Sequence, residues 1–399
     1  MTTTLRVAVR QFGPFESGIV KQFDDFAAST GVDARIEIAP MDLNPLHDAL
    51  ISRRELAGGA WDLAFLSTDW LAQAHALGLV ENLLPFQARE PIADFPDAWS
   101  PSLLGLQSFD GGFWGMPYHD GPECLIYRTD LFDDAGLEPP ATWDAFVSTA
   151  RRLHAPHKGV NGTALALFPD GHNGFYDFCM HVWSRNGELF TRDGAPTLPG
   201  PAACEALDFI RALARDEAAL APNAQAIDSV RSGLMFAAGE VAMMVNWFGF
   251  AAYAQTAPES RLAGLGRVGV APVPRGAHGT SVSLNVFWML SMASGSRHKD
   301  LVWRFMRHCA SAPMDRLATL EGTIGTRIST WHDAEVNARI PFFHRLEALH
   351  SVARELPRHA RLADISHVID AMLARAIESD TPSDALLSQA QAQIEEIVR

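Results

Sequence analysis

The chain has 399 residues, 48% hydrophobic and 20% charged, with a formal net charge of −15. That length exceeds what a single hydrophobic core usually supports, so two domains are expected. The acidic balance and the lack of a basic run argue against a nucleic-acid partner, and no apolar stretch approaches the roughly 20 residues that cross a bilayer as a helix.

In chain order, Leu5, Val7 and Val9 alternate as a strand does, and Ile19, Val20, Phe23 and Phe26 recur at helical spacing until Gly31. Ala34, Ile36 and Ile38 predict a second strand, 45–56 a second helix, 62–66 a buried strand and 68–77 a third helix. This β-α-β-α-β-α order predicts an α/β fold around a parallel sheet. Ligands of such sheets lie beyond the carboxyl ends of the strands. Attention therefore falls on 11–15, 41–44 and 67–70, which carry Gln11, Phe12, Asn44 and Asp69.

Asp110-Gly111-Gly112 has hairpin-turn chemistry, and Leu125-Ile126-Tyr127 is a short apolar strand. A helix closed by Gly136 follows, then a second opening at the capping residue Thr142. Beyond it the pattern predicts a strand at 162–168, helices at 175–183 and 203–213, and a helix end, turn and strand over 236–247. Strands are predicted at 268–273 and 285–292, and an amphipathic helix at 300–309. Leu362, Ile365, Ile369 and Leu373 form one helical stripe in the tail, and Leu387, Ala390 and Ile394 another. No repeat or flexible linker separates two halves, so strands crossing more than once are expected to join the lobes.

Several motifs have plain readings. Gly264 to Gly269 satisfies GxGxxG, but a strand follows it where a dinucleotide site needs a helix, so it reads as a turn. None of the fifteen histidines forms HExxH, and Pro156 separates His154 from His157. No metal or cofactor is expected. The four cysteines lack CxxC spacing and read as isolated thiols, with one disulfide left open for an oxidising compartment. Trp143 and Trp303 fall in helix patterns and read as core.

The stretch 110–153 resembles the family-1 extracellular solute-binding proteins of ABC importers, which mostly bind carbohydrates. A D-G-x-x-x-G-x-P turn (Asp110 to Pro117) leads into Asp130-Leu131-Phe132, Ala135-Gly136-Leu137, Pro140 and Thr142 to Phe146. GEVAMMVNW, VGVAPVPRG, SGSRHKDLVWRFM and Ser383 to Ile394 match further family segments in the correct order. The resemblance implies a two-lobed periplasmic-binding-protein fold of type II, each lobe a mainly parallel sheet flanked by helices. It implies an N-terminal lobe of 1–121 plus 284–325, a C-terminal lobe of 122–283 plus 326–399, and ligand between them. It also implies a monomeric, non-catalytic receptor that closes on a carbohydrate and delivers it to the permease subunits. The location implied is periplasmic or extracellular, with lipid anchoring open; the opening Met-Thr-Thr-Thr shows no export signal, as in a mature domain.

Trp247 and Trp288 stand where the family places aromatics that stack on sugar rings. Asp69 and Asp120 resemble positions that bind hydroxyls, and Arg327 follows the family's last inter-lobe segment. His119, beside Asp120, is a candidate hydroxyl donor; Tyr118, Tyr176, Asn246 and Phe248 are candidates by position. Two other readings stay open at this stage. One is a thiaminase-like enzyme using Cys124 as nucleophile; the other is a receptor for a polyol or an anionic sugar derivative.

Overall fold

The computed structural model describes residues 2–191 and 194–399. The described residues hold twelve strands: β1 (Thr3–Arg10), β2 (Ala34–Met41), β3 (Leu63–Ser67), β4 (Ser108–Phe109), β5 (Gly112–Phe113), β6 (Met116–His119), β7 (Glu123–Arg128), β8 (Met243–Trp247), β9 (Val268–Ala271), β10 (Ser283–Leu284), β11 (Trp288–Met292) and β12 (Ala353–Arg354). The chain divides into two compact units, Met1–Gly121 with Asn285–His350, and Pro122–Leu284 with Ser351–Arg399.

Unit 1 is built on a five-stranded sheet of order β2-β1-β3-β11-β6. β1 runs parallel to β2 and β3, whereas β11 runs antiparallel to β3 and to β6. The carboxyl ends of β1, β2, β3 and β6 therefore share one edge with the amino end of β11. Leu5, Val7 and Val9 are fully buried, as their alternation predicts. Helix Gly13–Thr30 buries Phe15, Ile19, Phe23 and Phe26 and stops at Gly31, whose φ of 65° lets its N–H reach Ala27. Phe23 and Phe26 meet Phe305 of helix Lys299–Cys309 at centroid distances of 5.1 and 5.5 Å.

The region 45–56 is not one helix. Leu43–His47 is helical, Asp48–Ser52 widens into a looser helical turn, and the chain then leaves the helical path. Segment 326–350, expected in the second lobe, packs in unit 1. Arg327 Nη1 donates to Ala310 O and Trp331 Nε1 to Gly325 O, so the segment is satisfied from within that unit.

In unit 2, β7 pairs antiparallel with both β8 and β9, where a mainly parallel sheet is expected. The apolar run 162–168 joins no sheet. A Cβ on Gly162 would lie 2.0 Å from Ala150 O, so the backbone there hugs helix Trp143–Leu153 and keeps only isolated bridges, at Asn161 and Thr163. The tail helices Leu362–Glu378 and Ser383–Val398 pack on each other and on helix Pro201–Ala214. Arg211 of that last helix and Arg215 just beyond it donate to Ala376 O and Ile377 O at the tail helix's carboxyl end, the end that favours cations.

The chain passes between the units three times, after Gly121, Leu284 and His350. On the unit 1 side all three passages start from one buried network. His350 Nε2 lies 2.5 Å from Asp120 Oδ2, and His350 Nδ1 lies 2.9 Å from Ser102 Oγ. Asn285 Nδ2 donates to Ser102 O at 2.9 Å. Asp120 is 0% and His350 5% exposed, and the indole of Trp331 stacks on the imidazole at 4.7 Å and 7°.

Candidate functional site

Each unit presents one face where candidate residues gather. On unit 1 it is the shared strand edge. Gln11 and Phe12 follow β1, Asn44 follows β2, Asp69 follows β3, His119 ends β6 and Trp288 begins β11. The ladder sets Trp288 opposite both Ser67 and His119. An aromatic row results: His47 to Trp70 at 5.0 Å, Trp70 to Trp288 at 5.6 Å, Trp288 to Phe15 at 6.2 Å, and Phe15 to His119 at 4.7 Å. Phe12 lies edge-on to His119 at 6.1 Å. Phe12, Asp69, His119 and Trp288 are half-buried, and Gln11 and Asn44 are exposed.

His119 Nδ1 accepts from Ile324 N at 3.0 Å, which places the ring proton on Nε2. Burial pushes its pKa down to about 3, so the imidazole is a neutral donor across physiological pH. Ser67 Oγ donates to Asp69 Oδ1, which orients the carboxylate at the strand end. A neutral donor, a carboxylate and flat indole faces suit a polyhydroxylated ligand.

On unit 2 the face forms where β8 ends and helix Asn173–Trp183 begins. Trp247 is half-buried; its Nε1 donates to Asn173 Oδ1 at 3.4 Å and its ring lies 6.0 Å from Tyr176 at 81°. Tyr176 Oη bonds His172 Nδ1 at 2.6 Å. Asn173 is held by Asp170, whose Oδ2 accepts from Asn173 Nδ2 at 2.9 Å. The ladder places Glu123, 2% exposed, opposite Trp247, and its carboxyl meets that of Asp177, one residue beyond Tyr176. Burial raises both carboxyls, and Asp177 is pushed up to about 8.

Five expected ligand residues turn elsewhere. Tyr118 is 5% exposed and donates to Gln22 Oε1 at 2.9 Å inside unit 1. Asp120 is buried against His350. Arg327 is 4% exposed, lies over the Trp99 ring at 4.5 Å and bonds Ala310 O and Asp94. Asn246 donates to Ser229 O and Ser232 Oγ, and its own Oδ1 receives Trp247 N, so it fastens the strand end. Phe248 is 0% exposed core. Sequence reading missed Trp70, Asn173, Glu123 and Asp177. Asp177 had a usable signal, because it adjoins Tyr176 at the start of a predicted helix.

Cys124 is 0% exposed, and its Sγ points at Asn246 O at 3.7 Å. Burial, reinforced by neighbouring Glu123, pushes the thiol up. A nucleophile needs the opposite shift. All four cysteines are free thiols, and Gly264 and Gly266 have φ of 69° and 65° in the turn before β9.

Two units of this α/β construction define the two-lobed fold of periplasmic solute receptors. The maltose-bound MalE3 of T. maritima superposes with a TM-score of 0.89, covering 99% of this chain and 100% of that one at 21% identity. A ribitol-bound ABC transporter solute-binding protein from Agrobacterium radiobacter gives 0.87, covering 99% and 98% at 22% identity. Residues 15–315 match the family model for bacterial extracellular solute-binding proteins, and the chain belongs to that family. The mannitol-binding protein of Pseudomonas aeruginosa is 26% identical over 357 residues, spanning 84% of this chain and 76% of that protein. Membership makes the chain a solute-binding protein and not an enzyme.

Proposed function

We propose that this protein is the carbohydrate receptor of an ABC importer, taking a sugar or sugar alcohol and delivering it to membrane permease subunits. The observation that carries the reading is the strand edge of unit 1. There Trp288 offers a flat apolar ring, flanked by the Asp69 carboxylate and the neutral His119 donor. A ring or extended polyol has C–H faces for the indole and edge hydroxyls for the carboxylate and imidazole. Trp247, Tyr176 and Asn173 form the candidate face of unit 2. The relatives that bind mannitol, arabino-oligosaccharide and lactose, and the neighbours solved with maltose, ribitol and mannitol, support this class. The protein acts as a monomer outside the cytoplasmic membrane.

The test is thermal unfolding against mono-, di- and oligosaccharides and polyols. A ligand at about 100 times its Kd adds about 2.7 kcal/mol, a shift of several degrees. Trp288→Ala and Trp247→Ala should each weaken binding at least tenfold while the apo melting temperature holds. Unchanged affinity in both would overturn the stacking role, and a flat panel would overturn the carbohydrate class.

A further inference from the structure

A second recess opens in unit 1, away from the strand edge. The edge adjoins the start of helix Gly13–Thr30, and the recess lies at the other end, where Phe26 and Thr30 form one wall. At 1.5 Å per residue, Phe26 is about 20 Å along the helix from Gly13. Ile92 and Asp94 form a second wall; the last turns of helix Lys299–Cys309 and the first turn of helix Ala312–Leu320 complete it. The volume is about 510 Å³, within the ~300–1,000 Å³ range of small-molecule sites.

Three guanidiniums and one carboxylate line this recess, in a chain whose net charge is −15. Arg327 is almost fully buried; its Nη1 donates to Ala310 O and its Nη2 to Asp94 Oδ2, and no acceptor reaches its Nε. The bond to Asp94 is long, at 3.3 Å, and Asp94 is exposed, so that pairing is weak. Arg307 Nη1 pairs with Glu90 at 2.6 Å, and its buried Nε likewise has no acceptor. Arg304 is exposed on the rim, forms no ion pair among the described residues and lies over the Phe26 ring at 5.9 Å. His308 faces Asp25 at 2.9 Å. Helix Ala312–Leu320 starts here without a side-chain cap, because Ser311 Oγ donates to His308 O instead. Buried N–H donors are costly to leave unpaired. Two from arginines in one recess, beside the positive end of a helix, call for an oxyanion.

We propose that this recess binds an organic phosphate, its oxygens held by Arg327 Nε, Arg307 Nε and the amino end of helix Ala312–Leu320, its carbon skeleton against Phe26 and Ile92. A phosphate monoester presents three charged oxygens in a tetrahedral array, enough acceptors for donors from three separate segments. A carboxylate presents two in one plane, which a single guanidinium already occupies. The phosphate takes the Nε–Nη2 edge of Arg327 bidentately and releases the Asp94 carboxylate to solvent. Arg304 on the rim adds attraction at longer range. The recess is far larger than a bare phosphate, so the group arrives on an organic body whose apolar part the two buried side chains cover. This site stands apart from the carbohydrate face and does not depend on it.

The test is titration calorimetry on the intact protein at constant ionic strength, comparing phenyl phosphate with benzoate and glycerol 3-phosphate with glycerate. At least one phosphate ester should bind tenfold or more tightly than its matched carboxylate. The double variant Arg304→Gln, Arg307→Gln should weaken that binding at least tenfold while the apo melting temperature and the affinity for the sugar found in the thermal panel hold. Arg327→Lys keeps the charge but loses the bidentate edge, and should weaken the ester similarly; the double variant decides the matter if Arg327→Lys folds poorly. Vesicles of phosphatidic acid and of phosphatidylcholine form a second arm. Sedimentation with the first alone, lost in the double variant, assigns the phosphate to a lipid headgroup; ester binding without sedimentation assigns it to a soluble compound. Failure of both esters and of phosphatidic acid to bind overturns the proposal. So does ester binding no tighter than that of the carboxylates, or binding that the double variant leaves unchanged.

Discussion

Asp177 keeps its proton to about pH 8 in the folded chain, against about 3.8 for an ordinary aspartate. Between those values the folded state binds more protons than the unfolded one, so this group's contribution to stability falls as pH rises from about 4 to 8 and is level above. Asp177→Asn should therefore flatten that part of a plot of Tm against pH and raise Tm at pH 8. His119 has the opposite sign. Its folded pKa of about 3 lies below the ordinary 6.5, so stability is complete above 6.5 and is lost as pH falls toward 3. His119→Gln should remove that acid slope in the same measurement. Backbone position is legible in the sequence, and it leaves Phe12, Asp69 and Trp288 half-buried at strand ends. Burial of Asp120, Arg327, Asn246 and Phe248 is not legible in the same way. Their contacts include partners up to 233 residues away, as with Asp94 for Arg327, which no local pattern encodes.

The strands and helices that carry the faces were mostly legible, because alternation and capping are local. Thr142 accepts from Ala145 N as its position predicts, and Gly136 closes the preceding helix at φ 61°. Thr142→Ala should cost about 1 kcal/mol in chemical denaturation, the usual worth of such a cap. The apolar run 162–168 shows the limit of periodicity. It reads as a strand, but Gly162 is pressed onto Ala150 O, and contact with a helix displaced sheet pairing. Gly162→Ala would put a methyl where a carbonyl already sits, and should lower Tm by several degrees. Likewise, β7 runs antiparallel to β8 and β9, a strand direction that composition does not report.

At the level of the whole molecule, unit 2 is completed only by the tail, since Arg211 and Arg215 close onto residues 376 and 377 and the last two helices cover helix Pro201–Ala214. Deleting residues 351–399 should abolish cooperative unfolding of unit 2, seen as loss of a calorimetric transition, while unit 1 retains its own. The three passages between the units have a further consequence, and it is optical. All of them start from the network of Asp120, Ser102, Asn285 and His350, and His350 lies flat against one indole. A displaced imidazole quenches an indole differently from a stacked one, so Trp331 is a built-in lamp at the root of every passage. Subtracting the emission of a Trp331→Phe variant from that of the parent would isolate its light from the other nine tryptophans. Ligand titrations could then be followed at the junction without any added label.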